Sequence, residues 1–394
     1  MDSSSRRAFL TTATGGMTLL AGCTDVLSGD DSDARDDARH SAENVQENAW
    51  TPAAASDESV ESADVTGPSD DSESDGTLPL KDPEISVPYE LTALEEDAIS
   101  GGVPKDGIPS IDEPSFDDAS LGDENMDDGD PVFGVEIDGI QKAYPQYILV
   151  FHEVVNDTFG DRSVGVTYCP LTGSVLGFER GGVELGVSGM LVNSNLIMYD
   201  RNTDSWWPQI HPVSPLGERN GLRLREFQVT WTTWGRWKEA YPDTQVLTED
   251  TGRVRNYGSD PYGSYNPPSG YYSDSNTLFA PRHENDEYHP KDVFIGARSG
   301  DGAVGFLKDS LRDRRLLETT VDGTPYLAAY HEQLDSAWVY RNDEGVMFDA
   351  TDDGYEGPDS TIHAADELPL TSVNAFDVLW FSWYGYYPET TIVA

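Results

Sequence analysis

Apolar and polar positions alternate most clearly over Pro131-Val-Phe-Gly-Val-Glu-Ile-Asp-Gly139, which reads as a strand closed by a turn. The run from Val166 to Arg180 reads as strand, tight turn and strand, with Cys169 at the turn, and 183–189 and 196–200 read as further strands. Between them, 147–155 is apolar with no clear choice between helical and strand period, and it carries His152 and Glu153. Helical spacing over 233–241 stops at Pro242, 89–97 is weakly helical, and 99–109 is a loop rich in Gly and Pro. The pattern predicts a strand-rich α+β fold with a few short helices. Residues 24–85 differ: they are rich in Asp, Ser, Ala, Glu and Gly, with few large apolar side chains and no periodicity. Such a stretch buries too little surface to offset the entropy of ordering, so it reads as a disordered acidic spacer ahead of a folded region at 86–394.

Within the folded region the pattern recurs. Trp231-Thr-Thr-Trp-Gly-Arg-Trp-Lys-Glu-Ala-Tyr-Pro-Asp-Thr244 returns as Val378-Leu-Trp-Phe-Ser-Trp-Tyr-Gly-Tyr-Tyr-Pro-Glu-Thr390. Upstream, Pro131-Val-Phe-Gly matches Asp292-Val-Phe-Ile, and 163–180 matches 323–341, where Tyr330-His331 faces Tyr168-Cys169. The expectation is two tandem copies of a unit of about 120 residues, at about 130–247 and 291–394, packed around a pseudo-twofold axis. A linker rich in Tyr, Gly, Pro and Asp (256–287) joins them.

Charge adds a statement about solvent. The 72 acidic residues outnumber the 25 basic ones, for a formal charge of −47, and the acids spread over the folded region as well as the spacer. This suits an acidic surface in high salt, as in halophilic archaea. No basic stripe is present to neutralise phosphates, so nucleic acid is not an expected partner.

The first 23 residues read as an address. Ser4-Ser-Arg-Arg-Ala-Phe-Leu10 carries the paired Arg6 and Arg7 of a twin-arginine export signal, followed by a short apolar run and Leu20-Ala-Gly-Cys23. The run is too short to span a bilayer, and the last four residues match a lipobox with Cys23 as the lipidated residue. The expected partners are therefore the export machinery and, through a lipid, the membrane, with the protein held at the outer face. Of the two cysteines, Cys23 would be consumed by lipid, which leaves Cys169 unpaired: a reactive or ligating thiol, or an apolar core residue.

Several blocks carry a further signal: Lys105-Asp-Gly-Ile-Pro, Val135-Glu-Ile-Asp-Gly, Ala143-Tyr-Pro, His152-Glu-Val-Val-Asn-Asp, Val166-Thr-Tyr-Cys-Pro-Leu, Gly186-Val-Ser-Gly, Asn193-Ser-Asn-Leu-Ile-Met-Tyr-Asp-Arg201, Trp207-x-Gln209 and Thr232-Thr-Trp. In this order, over about 95–394, the chain resembles the DUF3179 family, a domain of unknown function. The resemblance implies boundaries and key positions but no activity. Many relatives have Cys-Pro-Leu-Cys at the hairpin, whereas here the second cysteine is Thr172, so a dithiol couple or two-thiolate metal site does not carry over.

Three chemistries remain. Cys169 with His152 suits copper or zinc, with Met198 and His211 as additional ligands, although the spacing matches no known metal motif. Cys169 could instead be a nucleophile activated by His152 and oriented by Glu153 or Asp157. The first expectation is binding of a small ligand or metal ion through the first repeat. Asn193, Asn195, Tyr199, Asp200, Arg201, Trp207 and Gln209 combine amides, an aromatic hydroxyl, charge and an indole, and Lys105 and Asp106 lie in a loop able to close over them. A core-packing role for the tryptophans and a turn ion pair for Asp200 and Arg201 are the alternative. So is a cell-surface structural or interaction protein.

Overall fold

Strand Pro131–Ile137 forms where the alternation predicts, but it is buried on both faces for most of its length, and Glu136 alone is exposed. It pairs antiparallel with Ile140–Pro145 across Asp138 and Gly139, both at positive φ. In this computed structural model, which describes residues 78–394 apart from 82–84, 88 and 259, the described residues form one compact unit. Arg6, Arg7, Cys23 and the spacer up to residue 77 lie outside the described residues.

The unit is built from small antiparallel sheets with short helices, a strand-rich α+β architecture. Strands Val154–Phe159, Arg162–Cys169 and Ser174–Glu179 make a meander extended by Glu226–Phe227. Strands Leu185–Val192 and Asn195–Asp200 form a second sheet flanked by Ile99–Ser100 and Trp206–Pro208. In the first half, Thr230–Thr233, Pro131–Ile137, Ile140–Pro145 and Gln245–Leu247 lie in that order, the last pair parallel. In the second half, Ala375–Leu379, Val293–Ser299, Gly302–Leu307 and Thr391–Val393 lie in order, again with the last pair parallel. In each set a helix, Trp234–Ala240 or Trp380–Tyr386, connects the first-named strand to the parallel last one.

The Trp and Tyr-Pro-acid-Thr motifs become intelligible here. Trp237 packs so closely on Gly134 that a Cβ there would lie 2.1 Å from its ring, and its indole N–H donates to Thr244 Oγ1 at 2.9 Å. Trp383 meets Gly296, where a Cβ would lie 2.5 Å from the ring, and donates to Thr390 Oγ1 at 3.0 Å. Tyr241 and Tyr387 lean on the two indoles with centroids 4.4 and 4.6 Å away. Each motif is thus a buried indole whose polar edge is satisfied seven residues on.

The halves meet at the hairpin. Leu379 donates its backbone N–H to Thr172 O at 3.0 Å, and Asn193 Nδ2 donates to Ser382 O at 2.8 Å. Cys169, Leu171, Phe294, Trp380 and Trp383 belong to one apolar cluster.

Two boundaries differ from the sequence expectation. The fold begins before residue 86: Leu78 is buried, and Leu80–Lys81 pairs with Arg223–Leu224. The 256–287 stretch is no bare linker. It forms the hairpin Gly263–Tyr265 with Pro268–Gly270 and a turn at Tyr271–Ser273, and it buries Tyr257 and Tyr272 against the first half. The apolar 147–155 stretch resolves into a one-turn helix, Gln146–Leu149, followed by a turn in which Glu153 takes φ 59°, and then a strand.

Candidate functional site

An open cleft of about 390 Å³ lies beside the 105–112 loop and the end of strand Asn195–Asp200. On one side, Tyr199 donates its hydroxyl to Asp106 Oδ2 at 2.6 Å, and Lys105 Nζ lies 3.8 Å above the Tyr199 ring while pairing with Asp204 at 2.5 Å. Burial, reinforced by the bond to Asp106, pushes the Tyr199 phenol up to about 12. Arg201 is held by Asp112 and Ser110 at 2.8 Å each and by Glu184, with Asp106 at 3.9 Å. This fork is oriented but electrically spoken for. The other wall carries Arg253 and Arg255, and among the described residues neither lies within ion-pair distance of a carboxylate.

His152 ties the two walls together. Its Nδ1 lies 2.8 Å from Pro109 O and its Nε2 2.7 Å from the Tyr257 hydroxyl. A carbonyl only accepts, so Nδ1 carries the proton and Nε2 accepts from Tyr257. Burial lowers the His152 pKa against the pull of Pro109, and nearby Arg255 and Arg253 push the same way, which favours the neutral ring. Pro109 and the 253–257 segment therefore share one buried support.

This arrangement commits the His152 ring to partners other than Cys169. Both imidazole nitrogens are committed elsewhere, and no hydrogen bond joins the two residues. The thiolate–imidazole pair expected for copper or zinc, or for a His-activated nucleophile, is not assembled. Among the described residues no group of three or more His, Cys, Asp or Glu side chains is placed to hold a metal ion. Met198 is buried in the core, and His211 Nδ1 faces the Tyr387 hydroxyl at 3.2 Å. Asp157 is bound by Lys142 at 2.9 Å and by Tyr144 at 2.5 Å, remote from a base's role toward the thiol.

Cys169 is 1% exposed, and Glu153 is its electrostatic neighbour. Burial first, and then the Glu153 charge, push the thiol up to about 11. Glu153 is itself only 7% exposed, no hydrogen bond to its carboxyl is formed among the described residues, and burial raises it to about 8. Tyr271 packs alongside and donates to Leu171 O at 2.7 Å, and the 256–287 stretch is pinned there by Ser194 Oγ on Phe279 O at 2.8 Å. Among the described residues, the hairpin thus holds an unpaired thiol and an unpaired carboxyl beside a tyrosine.

The rest of the sequence-derived ligand set is turned inward. Asn195 Nδ2 donates to Gln209 Oε1 at 2.8 Å and to Thr172 Oγ1 at 3.0 Å, and Gln209 Nε2 donates to Thr167 Oγ1 at 2.9 Å. Trp207 Nε1 donates to Asp200 Oδ2 at 3.1 Å, and Asp200 also receives the Thr203 N–H at 2.7 Å. Asn193 bridges Ser382 O and the Arg282 N–H. These side chains satisfy one another and the backbone. Of the nine ligand candidates, only Asp106 and Arg201 line the cleft, with Tyr199 bonded to Asp106 and Lys105 over the Tyr199 ring beside it. Ser110, Asp112, Arg253 and Arg255 were missed, although a basic pair two residues apart in an acidic stretch is a usable signal.

A family model described as a protein of unknown function, DUF3179, matches residues 105–390, well over half of the chain. The chain belongs to this family. No curated protein and no solved structure matches it. The match takes in the cleft loop at Lys105, the thiol hairpin and the second Trp motif, so in this DUF3179 chain the cleft and the Cys169 hairpin both lie within the family's domain. Where the family resemblance sets a second cysteine, Thr172 bonds Ser174 Oγ at 2.8 Å and anchors the polar network.

Proposed function

We propose that this DUF3179 protein binds a small anionic molecule in the cleft between the 105–112 loop and the 253–255 segment. The observation that carries this reading is the unpaired state of Arg253 and Arg255, in a chain where 72 acids compete for 25 bases. Two such guanidiniums offer forked donors suited to a carboxylate or phosphate, while Asp106, Tyr199 and Ser110 offer orienting contacts. Calorimetric titration with a panel of small carboxylates and phosphates at fixed ionic strength tests it. Saturable binding is expected for some members, and Arg253→Gln with Arg255→Gln should weaken it by roughly a hundredfold, about tenfold per lost charge-assisted contact. Unchanged affinity in the double variant would sink the proposal.

The setting proposed for this activity is the outer face of the membrane, reached by twin-arginine export and held by lipid on Cys23, in a salt-rich medium. The matching strand orders and Trp–Thr pairs support a tandem duplication with pseudo-twofold packing.

A second reading, a thiol nucleophile at Cys169 with Glu153 as its proton acceptor, is favoured by one observation: among the described residues no hydrogen bond is formed to the buried Glu153 carboxyl. Alkylation by iodoacetamide forms the S–C bond, expels iodide and sends the thiol proton to Glu153. Its rate is expected to rise through about pH 8 as the carboxyl ionises, and Glu153→Gln should slow it. If the glutamine variant reacts faster, Glu153 only suppresses the thiolate, and the nucleophile reading falls.

A further inference from the structure

Where the two halves meet, away from the cleft, buried cations outnumber buried anions. Glu226 accepts from Arg298 Nη2 at 2.6 Å and from Arg223 Nε at 3.2 Å, so one carboxylate serves two guanidiniums. All three side chains are buried, and Asn374 adds only a neutral amide to Glu226 at 3.2 Å. Arg298 Nε and Nη1 have no well-aligned hydrogen-bond partner among the described residues, while the guanidinium lies 4.7 Å over the Phe376 ring and the Tyr387 hydroxyl supports its charge. Buried charge is ordinarily matched and each orphaned donor is costly, so an unmatched guanidinium face needs a partner.

The surrounding groups add further unpartnered polar atoms, although the Arg282 charge is matched by Asp97 at 2.7 Å. Tyr387 lies within electrostatic reach of Arg298, and its hydroxyl oxygen is 3.2 Å from His211 Nδ1. His211 is fully buried and its Nε2 has no partner. The Tyr89 ring lies 6.5 Å from the His211 ring, and its hydroxyl is also unpartnered. Over that ring, at 4.1 Å, sits the Arg282 guanidinium, whose Nη1 is a further orphan. The contributors come from the N-terminal segment, the first half, the 256–287 stretch and the second half. Four elements thus converge on one donor-rich spot with excess positive charge.

We propose that this seam is a binding site for a small inorganic anion of halide size, held by the unbonded Nε of Arg298 together with the Tyr89 hydroxyl. The anion completes the charge balance of Arg223, Glu226 and Arg298 and cross-links the halves. A halide is the fitting class because the unbonded donors are fully buried and Arg298 Nη2 is already taken by Glu226, which leaves no paired fork for a carboxylate.

The test uses the full chain. Thermal unfolding is followed in sodium chloride, sodium bromide and sodium gluconate at equal ionic strength, so that screening of the acidic surface is common to all three. Halide is expected to raise Tm by about 2 °C per tenfold increase above its Kd, a shift absent in gluconate. Crystals grown in bromide should give an anomalous peak beside Arg298 Nε. Arg298→Met should abolish the halide dependence, while Arg253→Gln with Arg255→Gln should retain it, which separates this site from the cleft. Equal Tm in all three salts, or an anomalous map empty at the seam with water in its place, would overturn the proposal. If Arg298→Met fails to fold, the bromide map of the wild-type protein still decides.

Discussion

Glu226→Gln is expected to cost about 3–5 kcal/mol of stability, read as a lowered denaturation midpoint with an unchanged m-value. The side chain is fully buried, and its two oxygens are shared between Arg223 and Arg298. Burial alone would raise the carboxyl's pKa, but the two guanidiniums outweigh that and hold it below the usual range, so it is ionised at neutral pH. Removing its charge leaves two guanidiniums in a low-dielectric site with a neutral amide between them, and the loss is that of uncompensated charge more than of a hydrogen bond. An exposed pair makes the control. Arg162 with Glu179, bonded at 2.9 Å, is partly solvated, and Glu179→Gln should change stability by less than about 1 kcal/mol. A Glu226→Gln protein as stable as this control would mean that the guanidiniums are neutralised by something other than Glu226.

Trp237→Ala and Trp383→Ala should each cost about 3–5 kcal/mol, by the same measurement, because each removes a fully buried indole from a space shaped by a glycine. Relaxation cannot readily fill either hole: the facing positions, Gly134 and Gly296, have no side chain to swing in. The two effects should be alike in size, since both indoles also release a threonine hydroxyl, Thr244 or Thr390. Thr244→Val isolates that part and should cost about 1 kcal/mol. If one tryptophan proved dispensable, the two motifs would not be doing the same structural job.

Much of this framework was legible in the chain. Alternation located Pro131–Ile137, and the thiol hairpin and the helix at Trp234–Ala240 stand where their patterns put them. The recurrence of Trp with Tyr-Pro-acid-Thr was legible too, though its reason, an indole capped by a threonine, is a tertiary fact. Short pairings were not legible. Leu80–Lys81 forms only because Arg223–Leu224 offers an edge, and its acid-rich flanks mask that in composition. The deeper difficulty is polar residues. Asn195, Gln209 and Asp200 have the chemistry of ligand contacts, but the same chemistry satisfies buried partners, and only packing distinguishes the two uses. The cleft draws Ser110, Asp112, Arg201 and Arg253 from far-apart stretches, so no local pattern could unite them.

Arg253 and Arg255 sit in a chain of net charge −47, and this bears on how a ligand arrives as well as on how it stays. An anion approaching from solution is repelled by the molecule as a whole until it comes within roughly a Debye length, about 8–10 Å, of the two guanidiniums. Added salt therefore shortens the repulsive approach and at the same time loosens the contact at its end. Arrival and departure both quicken, and exchange becomes faster while occupancy changes far less. In a salt-rich medium the cleft would work as a rapidly sampling site, its residence time set by the brine as much as by the protein.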